Sequence, residues 1–435
     1  MGKKISFKGR ISSVLFWSLV SAAFIGPGTV TTASKAGANF GLALLWALLF
    51  STLATIILQE AAARITIASD KSLGHILSLK YQSGNSEGIK LLVFFAVAFG
   101  CAAYQTGNLL GAVAGLQLLV DWHPKLMALG IALLCGIVLW IGSIQWMARI
   151  LGMIVALMGI FFVYTAFQTD NSFYQVLEAS LLPSVPGDAT LLIISLIGTT
   201  IVPYNLFLAS GISKGQDIAE MRWGISIAIL LGGFISMSIL VVGTQITTAF
   251  SFDALAGTLA EKTGAWSSAF FAFGLCAAGL SSAITAPLAT AITAQSLFQT
   301  ADNNWDTKSK AFRLVSFGVL LIGLVFSLLD IKPVPAIILA QAINGVLLPI
   351  VAIFLLLIVN DRSLLPDGYT NSIVSNVLML LIVGVSCFLG IYNILKALIS
   401  AFALTLSTDL MITIGGAISL LVLLLLTWRI FLSRR

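Results

Sequence analysis

Two prolines set inside apolar runs constrain this chain more than any other feature. In the run from about Ser13 to Lys35, Gly26-Pro27-Gly28 interrupts what would otherwise be one helix. Pro27 has no amide proton and crowds the preceding turn, and the glycines on either side gain little from staying helical. The run from about Thr190 to Ser213 is broken in the same way at Val202-Pro203-Tyr204-Asn205, with Gly198 and the pair Thr199-Thr200 just before it. Such runs cross a hydrocarbon core of roughly 30 Å. There an unpartnered backbone group is tolerated only where it lines a cavity or binds something. Interrupted spans at corresponding places of two halves point to the substrate site of a membrane transporter.

Composition agrees with a membrane setting. Hydrophobic residues make up 59% of the 435 residues and charged ones 9%, and the mean hydropathy is +1.05. These values exclude a soluble globular chain and describe an all-α polytopic membrane protein. Twelve apolar runs are long enough to span, near 13–35, 40–66, 90–119, 125–144, 147–167, 190–213, 223–250, 265–298, 312–330, 333–359, 372–396 and 403–430. The basic residues test this count independently. With the amino terminus in the cytoplasm, only Lys35, Lys125, Lys262, Lys332 and Lys396 of the 23 Lys and Arg fall outside. The outer loop with Asp170, Glu178 and Asp188 carries no basic residue. Basic loops stay cytoplasmic, so the expected protein crosses a plasma (inner) membrane twelve times with both termini inside. The net charge of +6 then reports topology rather than nucleic-acid binding.

The chain is expected to be a single transmembrane transporter domain over 1–435 with internal repetition. The first broken helix opens a five-helix unit over 13–167, the second opens another over 190–359, and 372–430 adds two helices. Five crossings are an odd number, so the second unit enters the membrane from the opposite face. That is an inverted repeat, whose substrate site lies at the midplane between the units. The polar connections near 67–89 and 168–189 are expected to be loops or short surface helices.

Little in the chain can run chemistry. All 17 Asp and Glu fall in loops or toward helix ends, Glu60 being the deepest, with Arg64 four residues on as its expected ion-pair partner. The two histidines, His75 and His123, are read as loop residues. Cys101, Cys135, Cys276 and Cys387 sit singly in apolar runs, as small core residues with no disulfide expected. There is no phosphate-binding loop of the Gly-x4-Gly-Lys-Ser/Thr kind, so energy comes from gradients. No enzyme activity and no cofactor are expected. The basic start runs on into a full span with eleven more behind it, and reads as a retained first helix rather than a cleaved signal.

Four stretches carry a family resemblance. Gly41-Leu-Ala-Leu-Leu-Trp-Ala-Leu-Leu and Leu58-Gln-Glu-Ala-Ala-Ala-Arg64 resemble the second helix of the Nramp family of divalent-metal transporters. Val202-Pro-Tyr-Asn-Leu-Phe-Leu-Ala-Ser210 is similar to that family's Met-Pro-His-Asn-Leu-Tyr-Leu-His-Ser, and Asn344-Gly-Val-Leu-Leu-Pro349 has the look of its tenth helix. The resemblance implies a LeuT-like fold, a 5+5 inverted repeat with helices one and six broken. The chain departs from the family at the ligands. The family's Asp-Pro-Gly-Asn, whose Asp and Asn bind metal, corresponds to Gly26-Pro27-Gly28-Thr29. Its thioether ligand corresponds to Val202, the Ala whose carbonyl assists to Thr199, and its two sixth-helix histidines to Tyr204 and Ala209. An acidic pair of its third helix corresponds, through Leu110-Gly111, to Gln105 and Asn108.

The breaks therefore offer neutral oxygens. Gly26, Thr29, Thr199, Val202, Tyr204, Asn205 and Gln341 are the candidate substrate-binding residues, with Gln105, Asn108 and Asn344 lining a cavity. Thr29, Thr199 and Gln341 are the candidate metal-facing side chains, and Pro27, Gly28 and Pro203 make the breaks. Each has a plainer reading. The threonines can bond back to their own helix, Gln105 with Asn108 and Gln341 with Asn344 can join helices, and Ser281, Ser282 and Thr285 are expected to support close packing. Oxygen ligands suit hard cations, and Mg²⁺ keeps its waters longest. The expected function is alternating-access transport of a divalent cation, Mg²⁺ ahead of Mn²⁺, without proton coupling. The alternative is a small neutral or zwitterionic solute on the same scaffold. Expected partners are that ion or solute and the bilayer, with no nucleic acid, and the protein is expected to be a monomer.

Overall fold

The computed structural model describes residues 13–14, 16–17, 25–81, 86–142, 145–300, 305–366, 368–402 and 406–434. Its first half contains α1 (Pro27–Phe40), α2 (Leu45–Ser69), α3 (Leu73–Lys80), α4 (Ser86–Gln117), α5 (Pro124–Ile141), α6 (Gln145–Ala166) and α7 (Phe173–Leu181). Then come α8 (Thr190–Thr200), α9 (Pro203–Ile212), α10 (Ile218–Gly243), α11 (Phe252–Thr263), α12 (Trp266–Phe298), α13 (Lys310–Leu328) and α14 (Pro333–Ile358). The chain closes with α15 (Ile373–Ala401) and α16 (Thr408–Arg434). Among the described residues ten helices are long and apolar enough to cross a membrane, counting α8 and α9 together as Thr190–Ile212, and Ile150–Ala166 adds a shorter apolar helix. Of the first expected run before Ile25, only residues 13–14 and 16–17 are among the described residues.

Both breaks fall where the prolines are, but the prolines do more than interrupt. Pro27 is the first residue of α1 and Pro203 the first of α9. At that position a missing amide costs nothing and the fixed φ already suits a helix. Each proline thus starts a half-helix. The backbone before it is extended, with φ −116° and ψ −175° at Gly26 and φ −90° and ψ 119° at Val202.

The helix packing repeats itself between the halves. α1 packs on α10 and α9 on α2; α4 packs on α14 and α12 on α6; α4 packs on α13 and α12 on α5. The pairs α2 with α10 and α4 with α12 map onto themselves. This is the pattern of a five-helix unit used twice about a two-fold axis. The long connections contain α3 and α7, as expected of short surface helices. α11, between α10 and α12, has no counterpart in the sequence reading; its Leu255, Ala256 and Leu259 are buried. His75 also departs from its loop reading, since it lies inside α3, while His123 caps α5 and accepts from the Lys125 amide at 3.3 Å.

Ion pairs give an independent check on which loops share a side. Glu60 holds Arg64 at 3.1 Å and Arg222 at 2.8 Å, Lys214 holds Asp70 at 3.0 Å, and Lys80 holds Asp361. On the opposite side Lys125 pairs with Asp330 at 2.9 Å, Lys262 with Asp170 at 3.8 Å and Lys396 with Asp188 at 3.1 Å. Every one of these joins segments that the charge count puts on one face. Arg64 also donates to the carbonyl of Tyr369 and, at 2.6 Å, to Asn371 Oδ1, so the expected pair with Glu60 is one link of a network tying α2 to the segment after α14. All four cysteines are buried and unpaired.

Candidate functional site

Where α1 starts and α8 ends, side chains from the two halves touch. Thr29 Oγ1 lies 2.9 Å from Thr199 Oγ1, both residues being buried. Around this contact is a small cavity lined by Gly26, Gly28, Thr29, Tyr104, Asn108, Thr199, Val202, Tyr204, Ser282 and Gln341. The volume open to the centre of a water-sized sphere is about 20 Å³, room for one water or one bare ion. Every lining residue is buried. All of the polar groups are hydroxyls and amides; none carries a charge.

The break also frees carbonyls. In a continuous helix the carbonyls of Gly198, Thr199 and Thr200 would accept from residues 202, 203 and 204. The ladder instead stops at Ile197, whose carbonyl takes the Ile201 amide at 2.8 Å. Tyr104 donates its hydroxyl to the Gly198 carbonyl, and Thr55 Oγ1 lies 3.3 Å from that of Thr200. For the Thr199 carbonyl no helical donor exists, because residue 203 is proline. Gln341, buried on α14, is held against α1: a Cβ on Gly28 would lie 2.1 Å from its Nε2. Its Oε1 has no hydrogen-bond partner among the described residues. Gly26 is crowded in the same manner, since a Cβ there would lie 2.9 Å from Ser282 Oγ.

Not every expected residue is gathered here. Gln105 turns away and donates to the Ala283 carbonyl at 3.0 Å, and Asn344 donates to the Gly100 carbonyl at 3.1 Å; both join helices and neither lines the cavity. Asn205 is fully buried with neither side-chain amide atom hydrogen-bonded, and it too stands outside the lining. Pro203 starts α9 without lining the cavity, and Pro27 packs its ring toward Gly111 of α4. Tyr104 and Ser282 were not singled out for the site by sequence. Tyr104 is four residues before Asn108 and so shares its helix face, and its ring meets that of Tyr204 edge-on at 6.2 Å.

Removing the Tyr104 hydroxyl has a defined expected result. Tyr104→Phe strands a buried carbonyl and lowers stability by about 1–3 kcal/mol. If that carbonyl then meets a cation, MgCl₂ recovers part of the loss in a thermal melt. A loss of stability that no divalent cation touches places the carbonyl outside the ion's reach.

The sequence model of one family, Nramp (natural resistance-associated macrophage protein-like), matches residues 18–396. The chain belongs to the Nramp family. A relative named divalent metal cation transporter MntH, from Verminephrobacter eiseniae, is 23% identical over 384 residues, 82% of each chain. Among solved structures, a variant of the Eremococcus coleocola manganese transporter superposes with a TM-score of 0.72 at 19% identity, covering 100% of this chain and 96% of that one. Mhp1, a nucleobase-cation-symport-1 family transporter in a closed conformation with bromovinylhydantoin bound, gives 0.61 at 14% identity, over 96% and 92% of the two chains. The fold is thus the LeuT-like one, in an Nramp protein whose cavity at the paired breaks has no carboxylate or thioether in its lining. Among the described residues no three His, Cys, Asp or Glu come together as a metal site.

Proposed function

We propose that this Nramp protein carries a divalent cation by alternating access, Mg²⁺ ahead of Mn²⁺, without moving protons. The observation that carries the reading is the cavity at the paired breaks, with its neutral oxygen lining and the unpartnered Oε1 of Gln341. Hydroxyl, amide and carbonyl oxygens suit hard cations, and with Val202 in place of a thioether nothing favours a soft one. The carboxyl end of α8 brings the negative end of one helix dipole to the cavity, opposed by the amino ends of α1 and α9. Against this stands the cost of an uncompensated charge at membrane depth. The ion is proposed to enter and bind with several of its waters while the site is open, since Mg²⁺ dehydrates reluctantly; the cavity of about 20 Å³ is then the closed site.

Thr29, Thr199 and Gln341 are the proposed ion-facing side chains, with the Thr199 carbonyl beside them, and Asn108, Tyr104, Tyr204 and Ser282 complete the wall. Asn205, buried without partners, is proposed to meet water when the half-helices part. The repeats are proposed to run over 13–167 and 190–359 with 372–430 appended, both termini in the cytoplasm and the protein a monomer in the plasma membrane. The solute alternative draws on α1 and α9, whose amino ends at the cavity favour a carboxylate.

Titration of the purified protein with Mg²⁺, Mn²⁺ and Ca²⁺, read as heat, should give saturable binding of Mg²⁺. Silence for every divalent ion, with a hit from a panel of zwitterionic solutes, would transfer the assignment to the solute. Proton coupling has its own test. A relay working near neutral pH needs carboxylates or imidazoles, and the lining has neither, so Mg²⁺ uptake into proteoliposomes should proceed without acidifying the lumen. Acidification at a fixed ratio to substrate would overturn that part of the proposal.

A further inference from the structure

Sharing no lining residue with the cavity, α5 and α13 leave an apolar furrow of about 490 Å³ on the outer surface of the bundle. Its walls are aliphatic and aromatic throughout, among them Leu133, Ile137 and Trp140 of α5 and Phe317 and Leu321 of α13. Trp140 and Leu321 are each 61% exposed, so the furrow opens to the lipid rather than to a neighbouring helix. Gly136 keeps its floor low: a Cβ there would only just touch Leu320 and Phe317, at 3.6 Å each.

One end of the furrow is cationic. The Arg313 guanidinium lies 4.0 Å over the Trp140 ring. Its Nε is buried without a hydrogen-bond partner, and none of the ion pairs among the described residues includes Arg313. The surroundings make this costly. Arg313 and the exposed Lys310 sit in the first turn of α13, which contains no acidic residue. There the helix dipole repels cations. The nearby carboxylate of Asp306 is engaged by the Thr307 amide at 2.7 Å. Two cations at a positive helix end, one of them stacked on a tryptophan that lines the furrow, are stabilised by an anion that brings its own hydrocarbon.

We infer that the α5–α13 furrow binds an anionic phospholipid, one acyl chain lying along Leu133, Ile137 and Leu321 and the phosphate meeting Arg313 and Lys310. The charge count puts this end in the cytoplasmic leaflet, where anionic lipids concentrate. The site is independent of the transported substrate.

Native mass spectrometry of the delipidated full chain tests it, with phosphatidylglycerol and phosphatidylcholine of equal chain length as probes. One phosphatidylglycerol should be retained in preference to phosphatidylcholine. Arg313→Gln should weaken it about fivefold and erase the preference. Arg313→Lys should keep most of the preference. Gly136→Leu should fill the furrow and release the lipid with Arg313 intact. Melting curves without added lipid confirm that each variant is folded. Equal retention of the two lipids, or phosphatidylglycerol held unchanged by both Arg313→Gln and Gly136→Leu, would overturn the site. So would a dimer in detergent that Gly136→Leu dissociates, which would make the furrow a surface for a second copy.

Discussion

Gly26→Asp with Thr29→Asn and Val202→Met should tighten Mn²⁺ and Cd²⁺ binding by about tenfold or more, because it returns a carboxylate, an amide oxygen and a thioether to one cavity. All three positions line that cavity, so the new ligands arrive on opposite sides of one ion. The backbone allows the substitution at residue 26. Its φ of −116° suits any L-residue, and the atom a Cβ would crowd is Ser282 Oγ at 2.9 Å, a hydroxyl that can rotate aside. Soft ions gain most, since sulfur prefers them and Mg²⁺ draws nothing from it. Calorimetry with Mg²⁺, Mn²⁺ and Cd²⁺ on parent and triple variant reads the change. A folded triple variant that ignores Mn²⁺ and Cd²⁺, beside a parent that binds no divalent ion, removes the cation assignment altogether.

Gly198→Ala should be among the most damaging single-methyl additions in the chain. Its Cβ would lie 2.1 Å from the Gln341 carbonyl oxygen and 2.6 Å from the Gly345 amide nitrogen. Both are backbone atoms that no rotamer change can move. The relation is reciprocal, because a Cβ on Gly345 would lie 2.5 Å from the Ile194 carbonyl. α8 and α14 must separate, at a cost of about 3 kcal/mol or more, and Gln341 is carried away from Gly28 and the cavity. Gly130→Ala is the control, on exposed helix surface with nothing within 4 Å of a Cβ; it should change stability by less than about 1 kcal/mol. Thermal melts of the two variants in detergent decide the matter. Equal melting points would mean that the two helices are not in backbone contact.

The features legible in the sequence are those set by local or additive physics. A proline acts on its own turn, so Pro27 and Pro203 announced both breaks, although their service as the first residues of α1 and α9 required the structure. Loop charges add up without reference to fold, and the sidedness they implied agrees with the ion pairs from Glu60–Arg222 to Lys396–Asp188. Helix faces are different. Spacing says that Gln105 and Asn108 are neighbours, and equally that Tyr104 and Asn108 are; which pair meets the cavity depends on how α4 is rotated against its neighbours. The structure gave the cavity Tyr104 and turned Gln105 to Ala283. Ser282 entered for a reason no local pattern holds, since its place beside Gly26 depends on α12 lying behind a glycine 256 positions earlier in the chain. α11 escaped because a short amphipathic helix resembles a polar loop until its Leu255 and Leu259 find a core to enter. The sequence by itself determined that the chain breaks its helices and where; the tertiary structure alone decided which side chains face the gap, because orientation is set by packing between segments far apart in the chain.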